Sequence, residues 1–364
     1  MPRVHFQQIV VANLFFLLVF LLQIMICPAL AGREVYRDTV ETSTDSQTAS
    51  MLELSVVPAE KSKEGVTLAP TPTLNIVTSI APLYALAAGL VDDYRSQLHL
   101  LVRNGQSPHT YALRPSDAKA IQNADLIFWI GESFESFLVK PLKNLMNNNN
   151  SLEMHQAEGL LLLPYREPGE WSHEADDDDG DNHHHHPGET DMHVWLSPTN
   201  AKAIVAAMAE ALIVAEPGRS EVYRQREMTI QKQLDQLDLD IKERLRSVQG
   251  VPFVVFHDGF HYFEHRYQLQ GVTAITPSPQ HRPGAGGLSK IRSLLKERRI
   301  TCLFQEPQFD QNIARSIIES QNIKIGLIDP LGSQIPLDQN HYFAMMDQLA
   351  DRIAACLSPI PNTP

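Results

Sequence analysis

The sequence predicts an α/β protein of two lobes, each with a parallel sheet flanked by helices, joined by one long rigid helix. Three observations carry this reading. From Leu74 onward, short β-branched and aromatic runs alternate with helix-patterned segments, the signature of βαβ units on a parallel sheet. The alternation breaks once, from Gly218 to Gln249, where no Pro or Gly follows the opening glycine. The chain has 364 residues, a length for which two domains are the natural expectation.

The first lobe is expected over residues 74–217. "LNIVTSI" is strand-like and "PLYALAAGL" has helical spacing. "QLHLLV" is a second strand, and "SDAKAIQNA" a helix starting at a Ser116 cap. "DLIFWIG" is a third strand ended by Gly131. "FESFLVKPLKNLM" is helical, and the asparagine run Asn147 to Asn150 stops it. "SPTNAKAIVAAMAEALIVAEP" is a strong helix with Pro in its first turn. In the linking segment 218–249, Leu234, Leu237, Ile241 and Leu245 recur near 3.6 spacing. A helix of about 30 residues would span roughly 45 Å. The second lobe, 250–358, repeats the pattern. "VPFVVF", "GVTAIT", "ITCLFQE" and "IKIGLID" are strands; "GFHYFEHRYQ", "LSKIRSLLKERR", "NIARSIIESQN" and "NHYFAMMDQLADRIAACL" are helices. A cleft between two such lobes is a common ligand site.

The N-terminus reads as an export signal over residues 1–31. An apolar run from Ile9 to Ile26 precedes Ala29-Leu30-Ala31, the small-residue pattern of a cleavage site. An uncleaved anchor is the alternative. Lipid attachment at Cys27 is disfavoured because Ile26 is not small. Residues 32–73 are rich in Thr, Ser, Glu and Pro, the composition of a flexible tether. Export places the chain in an oxidising compartment, where Cys302 and Cys356 are most simply a pair. Two buried free thiols are the other reading.

Hydrophobic content is 43% and the formal charge −13. That charge argues against nucleic acid, whose phosphates need clustered Lys and Arg, and fits a cationic partner. Much of the excess is local. Asp176, Asp177, Asp178, Asp179 and Asp181 run into His183, His184, His185 and His186, with His173 just upstream. Such a stretch has almost no large apolar residue and cannot fold by burial. Its bland reading is a solvated charge run. Its functional reading is an accessory metal loop, weaker and less selective than a preformed site because each binding event must order the chain.

Three other histidines each follow or flank a predicted element: His109 in "NGQSPHTYALRPSD", His193 in "DMHVWLSP" and His257 after "VPFVVF". Together they are a suitable set for tetrahedral Zn²⁺. Each taken alone is more often a core or surface histidine, and spacing does not separate the two. "HDGFH" (His257 to His261) has the i, i+4 spacing of a metalloprotease helix. However, Asp258 stands where the base would be a Glu, and Gly259 weakens the helix. His261 and His265 read as surface or packing residues. "PGAGGLSK" lacks the spacing of a phosphate loop. No nucleophile elbow or carboxylate couple is evident, so the chain offers metal ligands and little catalytic equipment.

These motifs resemble a known family. "SPHTYALRPSDAKAIQNADLIFWIG", "DMHVWLSPTNAKAI", "FHDGFHYFEHRYQL", "ITCLFQEPQF" and "LIDPLG" are similar, in order and flanks, to the periplasmic zinc-binding proteins of ABC importers, the ZnuA type, over roughly residues 74–357. The resemblance implies two lobes with little relative motion, a metal in the cleft between them, and delivery to an inner-membrane ABC permease by a monomer. It implies His109, His193 and His257 as ligands, with the fourth place taken by water or by a carboxylate; Asp329 of "IDPLG" stands where relatives have an Asp ligand, as fourth ligand or as a partner of a ligand histidine. Manganese-type members have a Glu where this chain has His257, and a third nitrogen favours zinc. Zinc members also carry a His- and acid-rich loop before the second ligand, and some a disulfide where Cys302 and Cys356 stand. Two departures are Pro108 before His109, and Gln280, where relatives more often have acids. The alternatives are a manganese- or iron-binding relative, a metal-dependent adhesin, and a zinc hydrolase, for which Asp258 and Asp329 are the only candidate bases.

Overall fold

The computed structural model describes residues 74–358, apart from 92–95, 104, 146–149, 167–168, 172–189, 277–283 and 320. The expected export signal, the tether, Cys27, Gln280 and the loop from His173 to His186 lie outside the described residues.

Strand β1 (Leu74–Thr78) runs parallel to β2 (Ser96–Leu100) on one side and to β3 (Leu126–Trp129) on the other. A fourth strand, β4 (Ser151–Glu153), pairs with β3. The order is β2-β1-β3-β4. Helices α1 (Ala81–Leu90), α2 (Pro115–Gln122), α3 (Ser136–Leu145) and α4 (Pro198–Ala215) belong to this half of the chain. The linking helix is α5 (Ser220–Leu245). In the second half, β5 (Pro252–His257), α6 (His261–Tyr267), β6 (Gln270–Thr276), α7 (Ala285–Glu297), β7 (Cys302–Gln305), α8 (Gln311–Ile318), β8 (Lys324–Leu327) and α9 (His341–Leu357) follow in turn. Their sheet has the same all-parallel plan, β6-β5-β7-β8. The predicted class therefore holds: two parallel sheets flanked by helices, with one long helix between them in the chain.

Period-two burial explains how each sheet is covered on both faces. In β1, Ile76 joins a large apolar cluster, while Val77 packs with Leu101, Ile127 and Leu138 in a separate layer. In β5, Val255 joins the large cluster and Val254 and Phe256 the opposite layer. The large cluster is shared by both halves. It contains Phe128 of β3, Phe304 of β7, and Ile230, Leu234, Leu237, Ile241 and Leu245 of α5. The apolar stripe read in the linking segment is therefore the seam between the sheets.

Several local expectations are corrected. Helix α2 starts at Pro115, one residue before the expected cap. Asp117 rather than Ser116 serves its start, its carboxylate accepting the Arg114 N–H at 2.9 Å. Strand β4 was not expected: three residues after an asparagine run carry no readable period. Helix α5 has 26 residues, about 39 Å, because Pro217–Arg219 and Arg246–Val248 tighten into 3₁₀ turns at its ends. "HDGFH" is not a helix, in keeping with Gly259: His257 ends β5 and His261 opens α6.

Ties of long sequence separation hold the halves together. Trp195 Nε1 donates to the Pro330 carbonyl at 2.8 Å, and Tyr342 Oη to the Trp195 carbonyl at 2.7 Å. Tyr262 Oη donates to the Asp191 carbonyl at 2.7 Å and accepts from Leu163 N–H at 3.0 Å. Cys302 of β7 and Cys356 of α9 form a disulfide across 54 residues, with Cα atoms 6.0 Å apart. It fastens the last helix to the second sheet.

A loop of that length corresponds to about 4 kcal/mol of unfolded-chain entropy. Replacing both cysteines by alanine should lower the unfolding free energy by up to that amount. The effect is read as a drop in the urea midpoint, with a steeper slope because the unfolded chain without the cross-link is more open. An equal midpoint would show that the bond does not form in solution.

Candidate metal centre

The three histidines singled out from the sequence converge. Among the described residues, His109, His193 and His257 each offer a ring nitrogen, and these atoms lie within 4.8 Å of one another. Their ring centroids are 5.7, 5.6 and 5.1 Å apart. His109 sits in the 3₁₀ turn Pro108–Thr110 beyond β2, where Pro108 presets the backbone entering the turn. His193 immediately precedes the turn Val194–Leu196 that leads into α4. His257 is the last residue of β5. Strand order reverses between β5 and β7, and ligands of open α/β sheets gather outside the carboxyl ends of strands at that reversal. His193 and His257 are buried and His109 half-buried.

Two carboxylates orient the rings. His193 Nδ1 donates to Asp191 Oδ1 at 2.7 Å, and its backbone N–H reaches the same oxygen at 3.0 Å. His257 Nδ1 donates to Glu306 Oε1 at 2.9 Å. A carboxylate only accepts, so each pairing puts the proton on Nδ1 and leaves the Nε2 lone pair free for a metal. Burial alone would raise the Asp191 carboxyl. The charge on His193 and its two hydrogen bonds outweigh this and hold the carboxyl below the usual value. Burial would likewise lower His257, but the Glu306 charge and hydrogen bond win and raise it. His109 is pushed well below 6.5, first by desolvation and then by the other two rings. It is therefore a neutral, ready donor at neutral pH.

Aromatic rings wall the centre. Phe134 lies edge-on to His109 at 4.7 Å and to His193 at 5.3 Å. Trp195 approaches His193 at 5.3 Å, and Phe309 approaches His257 at 5.7 Å. The cavity they enclose measures about 20 Å³, room on the scale of a single water. Gly259 makes the approach possible. A Cβ there would lie 2.5 Å from His257 Cε1 and 3.2 Å from His193 Nε2.

The other sequence candidates fall elsewhere. Asp329 is outside the converging set. Its Oδ1 accepts from Gln308 Nε2 at 2.9 Å and Leu331 N–H at 3.0 Å. Its Oδ2 accepts from Ser333 N–H at 2.6 Å and the Ser333 hydroxyl at 2.5 Å. Asp258 is paired with Arg166, whose Nε lies 3.0 and 3.1 Å from its two oxygens. The same guanidinium bonds Glu264 at 2.7 Å and lies 3.5 Å from the Trp171 ring centre. His261 packs 4.0 Å from Asp191, and burial followed by the nearby Arg166 charge pushes it down to about 4. Asp191 and Glu306 were not read from the sequence. Each was nevertheless signalled by an acid two residues before a ligand histidine or directly after the strand beside one.

The chain is similar to known zinc-uptake proteins. The family model "Zinc-uptake complex component A periplasmic", ZnuA, matches residues 76–356. The high-affinity zinc uptake system protein ZnuA of Yersinia pestis is 36% identical over 290 residues, spanning 78% of this chain and 91% of that one. Its namesake in Brucella suis biovar 1 is 33% identical over 306 residues, with the same coverage. The crystal structure of the periplasmic zinc binding protein TroA of Treponema pallidum matches with a TM-score of 0.66 at 21% identity. That match covers 79% of this chain and 100% of that one, a likeness of fold.

Removing either orienting carboxylate, by Asp191→Ala or Glu306→Gln, should weaken zinc binding roughly 10–100-fold while the apo protein keeps its circular dichroism. Unchanged affinity in both variants would show that the pairs do not orient the ligands. The pH dependence has a definite sign. Zinc needs unprotonated imidazoles, so a ring with a raised pKa must lose its proton on binding, and affinity falls as pH drops. His257 is that ring, so the fall should begin above about pH 6.5. Calorimetry in two buffers of different ionisation enthalpy should detect proton release near neutral pH. The release should shrink in Glu306→Gln, and equal release in both proteins would contradict the assignment.

Proposed function

We propose that this chain, which belongs to the ZnuA family of periplasmic zinc-uptake components, captures Zn²⁺ between its two sheets with His109, His193 and His257. Its function is zinc uptake, as in the relatives that share its sequence. The observation that carries the site is the convergence of three imidazoles within 4.8 Å, two of them held by carboxylates with Nε2 turned free. Three nitrogens and no carboxylate in the set favour zinc over manganese, which prefers oxygen. Within this reading the lobes are residues 74–217 and 250–358, with 218–249 linking them.

The ion is cargo, carried to an inner-membrane ABC permease by a monomeric periplasmic protein released from its export signal. Both carboxylates that could have served a hydrolase are engaged. Asp258 is held by Arg166, and Asp329 by Gln308, Leu331 and Ser333. This supports carriage rather than turnover. The His- and Asp-rich stretch is an accessory collector. Pro164 and Thr190, which bracket it in sequence, pair antiparallel, and the next residue after Thr190 is Asp191, the partner of His193. Its eight carboxylates between His173 and His193 raise the local cation concentration at the start of the segment that carries a ligand.

Zinc titration by calorimetry on three proteins tests this. They are the intact chain, a variant lacking Glu174 to Glu189, and His109→Ala in that shortened background. One tight site should survive the deletion and vanish with His109→Ala. Loss of tight binding on deletion alone would make the acidic-histidine stretch the transport site instead.

A further inference from the structure

Two buried groups behind His193 each lack a partner and face one another. Asp191 Oδ1 takes both donors of His193, the ring Nδ1–H at 2.7 Å and the backbone N–H at 3.0 Å. Its second oxygen, Oδ2, is buried and has no donor among the described residues. His261 Nδ1 is buried and equally unpartnered, and it lies 4.0 Å from that oxygen. Leaving either atom bare costs free energy. Neither is open to solvent, so each must find its partner within the protein. The neighbouring residue already ties the two segments, since Tyr262 Oη donates to the Asp191 carbonyl at 2.7 Å.

The cation beside His261 is committed elsewhere. Arg166 bonds Asp258 and Glu264 and lies against the Trp171 ring. Burial and that charge push His261 down to about 4, so at neutral pH its ring is uncharged and carries one N–H. With the proton on Nε2, the ring would turn a lone pair toward the carboxylate and be repelled. With the proton on Nδ1, it is attracted. The carboxylate is fixed through Oδ1, whereas His261 opens α6 and is half-buried. The His261 ring is therefore the part with freedom to close the gap.

We propose that His261 is a positioning residue for the captured ion: its Nδ1–H closes on Asp191 Oδ2 and, through Asp191, fixes the His193 ring. A carboxylate held at one oxygen can pivot about that bond. Held at both, it cannot, and the imidazole bonded to it keeps its direction toward the metal. The inference rests on the three-histidine reading above and extends it to a residue outside the ligand set.

A double-mutant cycle on zinc affinity tests it, measured by competition with a chelator. His261→Phe keeps a ring and removes the donor. His261→Asn keeps a donor, because its amide nitrogen stands where Nδ1 does. His261→Phe should bind zinc about threefold to tenfold more weakly than the wild type, the worth of one hydrogen bond. His261→Asn should bind as the wild type does. In an Asp191→Ala background, His261→Phe should have no further effect, because the path through Asp191 is gone. A packing role alone would weaken binding equally in both backgrounds, and that result would overturn the proposal. So would unchanged affinity in His261→Phe, or an Asn variant as weak as the Phe one. Should the variants fail to fold, a crystal structure of the zinc-loaded wild type decides. It should place His261 Nδ1 about 2.7–3.2 Å from Asp191 Oδ2. A gap that stays at 4.0 Å, or another donor on that oxygen, would overturn the proposal. Zinc binding that survives His193→Ala would instead sink the three-histidine reading, a result separate from all of these.

Discussion

Three imidazoles must meet out of water without being protonated, and most of the structure answers to that requirement. Rings this close repel one another once charged, and burial disfavours the charge further. His109 shows both effects, desolvation first. His257 shows the opposite balance, since Glu306 draws a proton toward it. The two rings are therefore biased in opposite directions, His109 toward the neutral form and His257 toward the protonated one. Carboxylates that could neutralise the ion directly would bind it through oxygen. Placed on the far nitrogen of two of the rings, Asp191 and Glu306 would strengthen His193 and His257 as nitrogen ligands without entering the ligand set.

Holding three rings at fixed separation needs a frame that does not bend. His257 and Glu306 stand at the ends of neighbouring central strands, so backbone pairing of β5 with β7 sets their spacing. His193 is held by a short segment tied to the other half of the chain at Trp195 and Tyr342. The apolar seam along α5 joins both sheets in one cluster, and a core of that density transmits displacement rather than absorbing it. The disulfide adds a covalent stop between β7 and α9.

The sheets, the long helix and its buried stripe were legible in the sequence because they depend on local periodicity. The residues Leu234, Leu237, Ile241 and Leu245 are buried as their spacing implied. Strand β4 was not legible, since three residues hold no period, and the start of α2 was misplaced because Asp117 caps more effectively than Ser116. The three converging histidines were singled out by their positions beside predicted elements and by motif resemblance, and the structure brings their ring nitrogens within 4.8 Å of one another. The motif "HDGFH" has helical spacing but was rightly set aside for its glycine: the strand ends inside it, and a side chain at Gly259 would press against His257 and His193.

The sequence by itself determined the secondary-structure alternation, the class of fold and the identity of the donor atoms, since these follow from residue type and local order. Only the tertiary structure decided which carboxylates lie against the histidine rings. Asp329, the acid suggested by sequence, turns its oxygens to a loop and a glutamine, whereas Asp191 and Glu306 lie against the rings. The physical reason is distance: a carboxylate acts over a few ångströms, and residues 49 positions apart, such as His257 and Glu306, become neighbours only when two strands pair.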